Sequence, residues 1–221
     1  MVWSDQFRVL EKWYVKSIDP NHLVAVGDEG VFAPAESELG ALREPECLDH
    51  QALLALPNVD FGTFHLYPET YGAGYQFGNS WIEDHVQAAQ KAGKPTILEE
   101  YGIRVKRDEK TQQITQLWRR RETAYRSWNT YVLRKGGNAS LFWMLAGADD
   151  KVGLYPDHDH YNAYAGTETA RLLQEYAKQF NTEATACKLA LAATTPSAFV
   201  TVQRPAKDGV ENVLTPQPPL R

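Results

Sequence analysis

A chain of 221 residues, 43% of them hydrophobic, is long enough for one sizeable core, or for one domain and a tail. Its formal charge of -5 excludes the polyanion-binding field of a nucleic-acid protein, while 11% aromatic residues suit ligands with flat apolar faces and many hydroxyls. No apolar run approaches a membrane span, and Met1-Val2-Trp3-Ser4-Asp5 lacks the basic and apolar regions of a signal peptide, so neither a membrane partner nor an export signal in this chain is expected.

In chain order, Phe7, Leu10, Trp13, Tyr14 and Ile18 recur at three- and four-residue steps and predict an amphipathic helix over Asp5 to Ser17, stopped by Asp19-Pro20-Asn21-His22. Leu23 to Val26 is a short apolar run closed by Gly27-Asp28-Glu29-Gly30, a buried strand with an acidic exit. A weak helix follows around Asp49 to Leu56, then a strand over Val59 to His65 that leaves through Leu66-Tyr67-Pro68-Glu69. Ser80 is placed to cap a helix over Trp81 to Ala92, with Gly93 as its stop.

Lys94-Pro95-Thr96-Ile97-Leu98-Glu99-Glu100-Tyr101-Gly102 reads as the next buried strand, delivering carboxylates to its own C-terminal end. Strict alternation along it puts Glu100 on the face of Leu98 and Thr96 and Glu99 on the other, so that only one glutamate enters a site. Arg104 to Lys110 is a polar loop. Thr111 to Lys135 is a long helix with Ile114, Leu117, Trp118, Tyr125, Trp128 and Val132 on one side, ended by Gly136-Gly137. The triplet Arg119-Arg120-Arg121 inside it is expected to be a solvated helix face. The fourth strand is Ala139 to Leu145, with Trp143 near its exit. A polar loop from Asp149 to Tyr164 leads to a last helix, Thr167 to Phe180, whose buried stripe is Leu173, Tyr176, Ala177 and Phe180.

Strand and helix alternate four times and the strands are apolar throughout, the pattern of parallel βα units. Beyond Asn181 the sequence becomes rich in Ala, Thr and Pro and is expected to be a linker or disordered tail, with Ala198 to Val202 as a stub of an appended module. This divides the chain into a domain over residues 1–181 and a tail over 182–221.

Four strand exits carry groups able to converge: Glu29, then His65 with Tyr67, then Glu100, then Trp143. A carboxylate, an imidazole, a phenol and a flat indole around one cavity suit cleavage of a glycosidic bond. No cofactor is called for. Cys47 and Cys187 are far apart, and Asp157-His158-Asp159-His160 offers adjacent ligands on a polar loop without a defined geometry, so a metal is not expected. Asn138-Ala139-Ser140 fits a glycosylation acceptor at a strand start.

At these residues the chain resembles glycoside hydrolase family 5, and most closely its endo-β-1,4-mannanases. The resemblance is carried by Lys16-Ser17-Ile18-Asp19-Pro20-Asn21-His22-Leu23-Val24, Val26-Gly27-Asp28-Glu29-Gly30, Phe64-His65-Leu66-Tyr67-Pro68, Leu98-Glu99-Glu100-Tyr101-Gly102 and Phe142-Trp143-Met144-Leu145, in that order, across roughly Asp5 to Phe180. It implies an α/β fold of the (β/α)8 TIM-barrel type and a retaining double displacement on an extracellular β-mannan. It also implies Glu100 as nucleophile, His65 and Tyr67 as its supports, Trp143 as sugar platform and Glu29 as a contact on the leaving-group side.

In that family the acid/base glutamate follows an asparagine at the end of the fourth strand, and no such segment is found here. A complete barrel takes about 250 residues, so the four units are expected to be the last four, a half barrel. A half barrel exposes two strand edges, which favours association between copies.

Overall fold

The computed structural model describes residues 14–32, 49–107, 114–116, 118–149 and 153–194. Two compact units divide at Phe180 and Asn181. In the first, residues 14–18 (α1) are the helical end of the segment predicted from Asp5. Tyr14 and Ile18, expected on its buried stripe, are 68% and 67% exposed, and among the described residues nothing covers them. Helix α2, His50–Leu54, is capped by the Asp49 carboxylate, which accepts the Ala52 amide. Lys94 closes its other end by donating to the Leu54 and Leu56 carbonyls.

The centre is a parallel sheet of β1 (Gly62–Leu66), β2 (Thr96–Tyr101) and β5 (Ala139–Ser140), adjacent in that order. Helix α3, Phe77–Ala92, connects β1 to β2, and α4, Trp118–Lys135, connects β2 to β5. A sheet whose spatial order repeats its sequence order never reverses, which is the winding of a barrel rather than of a doubly wound sheet. Between strands and helices lies the core: Phe64, Leu66, Leu98 and Tyr101 against Trp81, Ile82, Val86, Tyr125, Trp128 and Val132. Its two large indoles are both satisfied, Trp81 Nε1 donating to the His65 carbonyl at 2.8 Å and Trp128 Nε1 to that of Tyr75 at 2.9 Å.

Several elements differ from expectation for local reasons. Leu23 to Val26 makes no regular ladder. It runs alongside β1 in the same sense through separate bonds, the Asp60 amide to the Val24 carbonyl, Thr63 Oγ1 to the Val26 carbonyl and the His65 amide to the Glu29 carbonyl. Side chains of Asp60 and Thr63 have taken partners that a ladder would use. Helix α3 begins at Phe77 rather than after Ser80, because Phe77 and Trp81 stack one turn apart with ring centroids 5.5 Å apart; Ser80 donates back to the Phe77 carbonyl instead of capping. Its end at Gly93, φ 68°, is where expected.

The segment read as a polar loop and early α4 holds an antiparallel pair, β3 (Lys106–Arg107) with β4 (Ile114–Gln116). Leu117 lies outside the described residues. Arg121 is not solvated: it is 1% exposed, donating to the Asn162 carbonyl at 3.2 Å and to Thr169 Oγ1 at 3.0 Å, so its charge ties α4 to the start of the last helix. The fourth predicted strand is divided into β5 and β6 (Leu145–Ala146), and β6 pairs in parallel with β9 (Ala163–Tyr164). Between them, β7 (Ala148–Asp149) and β8 (Gly153–Leu154) form a small hairpin inside the expected polar loop.

Helix α5 runs Glu168–Thr194, past the expected end at Phe180. The Ala-rich segment that composition alone assigns to a tail is a strong helix former, and helix propensity prevails there. On α5, Leu172, Leu173 and Tyr176 are buried while Ala177 is exposed. None of the helices searched among the described residues is long and apolar enough to cross a membrane. Cys47 and Ala198 to Val202 lie outside the described residues.

Candidate active site

The site grows from an irregularity in β2. Phe64 lies opposite Leu98, but His65 lies opposite Glu100, so Glu99 is an extra residue on β2. The other neighbour shows the same insertion: the Leu141 amide bonds the Leu98 carbonyl and the Trp143 amide bonds that of Tyr101, two residues spanning three. This is a β-bulge, which bends the strand and re-aims side chains. Thr96 and Leu98 face the core, and the next residue to do so is Tyr101, not Glu100. The expected separation of the glutamates onto opposite faces therefore fails, and both carboxylates reach the same imidazole.

That imidazole belongs to His65, on β1. Its Nδ1 lies 3.1 Å from Glu29 Oε1 and 3.9 Å from Glu100 Oε2, and its Nε2 lies 3.5 Å from Glu99 Oε2. Its backbone amide and carbonyl are also engaged, by the Glu29 carbonyl and the Trp81 indole. Tyr67, one residue beyond β1, donates its hydroxyl to Glu100 Oε2 at 2.7 Å. Glu29, His65, Tyr67 and Glu100 are thus brought together. Trp143 lies in the break between β5 and β6, 41% exposed, with its amide on the Tyr101 carbonyl and its indole Nε1 on Asp159 Oδ2 at 2.7 Å.

The charges support one another. Burial lowers the pKa of His65, but the Glu29 bond and charge, then Glu100 and Glu99, outweigh it and hold the pKa above its ordinary value. The His65 bond holds Glu29 below the usual carboxylate range against partial burial. Burial, and then the bond to Glu100, push the Tyr67 phenol up, so it remains a donor. The Tyr67 hydroxyl thereby gives one Glu100 oxygen a lasting O–H donor and fixes the orientation of that carboxyl group.

A pH dependence of stability follows. The raised His65 pKa gives stabilisation that is complete below its ordinary value of 6.5 and is lost as pH rises through the folded value. The lowered Glu29 pKa gives stabilisation that is complete above its ordinary value of 4.5 and is lost as pH falls through the folded value. The thermal midpoint of the native chain minus that of His65→Gln is expected to be largest between pH 4.5 and 6.5; a difference independent of pH would contradict the pairing.

Glu99 was not foreseen, because a bulge leaves no mark in composition or periodicity. Two further groups complete the site. Tyr161 packs edge-on against Tyr67 with ring centroids 5.1 Å apart and accepts Arg104 Nε on its hydroxyl at 3.1 Å. Gly102 lies so close to these rings that a Cβ there would be 2.5 Å from Tyr161 and 3.0 Å from Tyr67. Among the described residues no group of His, Cys, Asp and Glu is arranged to hold a metal. Asn138, the sequon asparagine, uses its side-chain oxygen to accept the Thr96 amide at 2.9 Å.

Known proteins resemble this chain in sequence and in fold. The chain is 36% identical over 156 residues to mannan endo-1,4-beta-mannosidase F of Aspergillus fumigatus, covering 70% of this chain and 32% of that protein. The solved endo-beta-1,4-mannanase of Thermotoga petrophila superposes with a TM-score of 0.68 at 40% identity, over 80% of this chain and 40% of that one. The endo-1,4-beta-mannanase of Rhizomucor miehei does so with a TM-score of 0.66 at 32% identity, over 81% and 46%. The parallel βα units are accordingly part of a (β/α)8 barrel, and the chain spans about a third of the length of the Aspergillus relative. The model of glycoside hydrolase family 5 β-mannosidase-like proteins matches residues 10–166, and with this site on that fold the chain belongs to that family.

Proposed function

We propose that this chain carries the nucleophile side of a site that hydrolyses internal β-1,4-mannosidic bonds of extracellular mannans. The observation that carries the reading is Glu100 at the β2 bulge, held by Tyr67 at 2.7 Å with His65 beside it. In a retaining displacement Glu100 attacks the anomeric carbon as the bond to the leaving oxygen breaks, and an acid protonates that oxygen. Water then cleaves the glycosyl ester, giving its proton to the same acid/base group. The two carboxyls stand about 5 to 5.5 Å apart in such sites. We assign the acid/base to barrel strands with which this chain does not align, Glu29 to the leaving-group side, and Trp143 to the sugar platform.

The sheet margins bear on assembly. Leu23 beside β1 is 73% exposed and Leu141 after β5 is 55% exposed. These margins are proposed to pair with further barrel strands or with a second copy, and solution mass distinguishes the two.

The test is release of reducing ends from β-mannan, cellulose and xylan in parallel, by the chain joined to the barrel strands that supply the acid/base. Release from mannan alone supports the reading, and preferential release from cellulose would replace it with a β-glucanase. On the preferred substrate Tyr67→Phe removes one hydrogen bond to a charged group, worth about 1.5–3 kcal/mol, so kcat is expected to fall about 10- to 150-fold. An unchanged kcat would show that the phenol does not act on Glu100.

A further inference from the structure

Asp157-His158-Asp159-His160 has the look of a metal cluster, yet its carboxylates are turned to other work. Asp157 Oδ1 accepts the Asn162 amide at 3.0 Å and Asp159 Oδ1 accepts the Tyr161 amide at 3.1 Å. The second oxygen of Asp159 accepts the Trp143 indole N–H at 2.7 Å. Asp159 is therefore fixed on one side by backbone and holds an aromatic ring with the other.

Two torsions set the plane of a tryptophan ring. The Trp143 backbone is pinned to Tyr101, immediately after Glu100, and the single polar atom of its ring is pinned to Asp159. The ring is 41% exposed, so it is held without being enclosed. A stacking platform requires that state, because a sugar ring gains contact only with a face presented parallel to it. The anionic acceptor also draws on the indole N–H and enriches the ring face, which strengthens contact with the polarised C–H groups of a pyranose. Burial would raise the Asp159 pKa, but the Trp143 indole and the Tyr161 amide outweigh it and hold the carboxyl below its usual range, so the acceptor is an anion at neutral pH.

We propose that Asp159 is a positioning residue that sets the plane and electron density of the Trp143 platform, and thereby the affinity of the adjoining sugar subsite. The inference rests on the reading of Trp143 as a sugar platform.

The experiment uses the full chain labelled with ¹⁵N-tryptophan and titrated with mannohexaose, in the native form and in Trp143→Ala, Asp159→Asn and Asp159→Ala. Trp143→Ala assigns the indole resonance by its disappearance. In Asp159→Ala that resonance is expected to move upfield and the affinity to fall about tenfold, the loss of one charge-assisted hydrogen bond. Asp159→Asn, which keeps an acceptor without the charge, is expected to recover most of the ring signal and part of the affinity. Native affinity in Asp159→Ala, with binding lost in Trp143→Ala, overturns the inference and leaves the platform standing. Failure of the native chain to bind, or native affinity in Trp143→Ala, overturns the platform and the inference together. Should Asp159→Ala disturb the fold, Asp159→Asn decides alone: the carboxamide must shift the indole signal and weaken binding less than Trp143→Ala, and no change in either overturns the proposal.

Discussion

Glu100→Ala is expected to abolish covalent trapping by a 2-deoxy-2-fluoro-β-mannosyl fluoride, while the native chain gains one fluorosugar on the peptide that contains Glu100. Fluoride departs without protonation, so this probe reads the nucleophile by itself and does not depend on where the acid/base resides. On a substrate with a good leaving group the rate is expected to fall on the order of 10⁴-fold or more, the scale of losing a covalent nucleophile. Azide added to the variant should restore turnover by attacking from the face that Glu100 vacates, giving the α-configured glycosyl azide. The decisive comparison is with Glu99→Gln. The bulge brings both carboxylates to His65, Glu99 at 3.5 Å and Glu100 at 3.9 Å, so nearness to the imidazole does not choose between them. Tyr67 does: its hydroxyl bonds Glu100, whereas Glu99 Oε2 is buried and, among the described residues, makes only the long His65 contact. An adduct on Glu99, or trapping that survives in Glu100→Ala, would reverse the assignment.

The glutamates also mark how far a sequence can be read. The order of βα units was legible because it depends on local pattern: an apolar run, a glycine stop, a helical stripe such as Tyr125, Trp128 and Val132. The convergence of Glu29, His65, Tyr67 and Glu100 followed from the same pattern, because parallel units place all strand ends together. The side that Glu99 faces did not, since one extra residue inverts every later side chain and a bulge has no compositional sign. Arg121 went unread for a related reason. A basic triplet on a helix is ordinarily solvated, and only the arrival of Asn162 and Thr169, more than forty residues later, provides the buried partners. The role of Asp159 went unread because the sequence shows its neighbours but not the indole it holds.

Gly30→Ala is expected to be the most damaging conservative substitution near the site. Gly30 has φ +87°, and a Cβ there would lie 2.5 Å from His85 Nε2 and 2.6 Å from Phe64 Cβ. Neither can retreat: His85 is buried with its ring stacked on Phe64, and its two nitrogens lie 2.7 Å from the carbonyls of Trp81 and Gly30. Left-handed backbone costs about 1–2 kcal/mol for an L-residue and overpacking about 1–3 kcal/mol, so a loss of about 3 kcal/mol is expected, lowering the thermal midpoint by about 6 to 12 °C. Gly72→Ala separates the two contributions. Its φ is +65° and a Cβ would meet nothing within 4 Å, so it carries the backbone cost alone. If Gly30→Ala costs no more than Gly72→Ala, the packing argument is wrong. The damage should also reach the chemistry, because Gly30 follows Glu29 directly and its displacement draws that carboxylate from His65. Glu29 contributes two of the effects that raise the His65 pKa, so the His65 titration measured by NMR should move down in Gly30→Ala. A chain that loses stability while His65 titrates as before would mean that Glu29 keeps its place through the His65 amide bond to its carbonyl, independently of the turn that follows it.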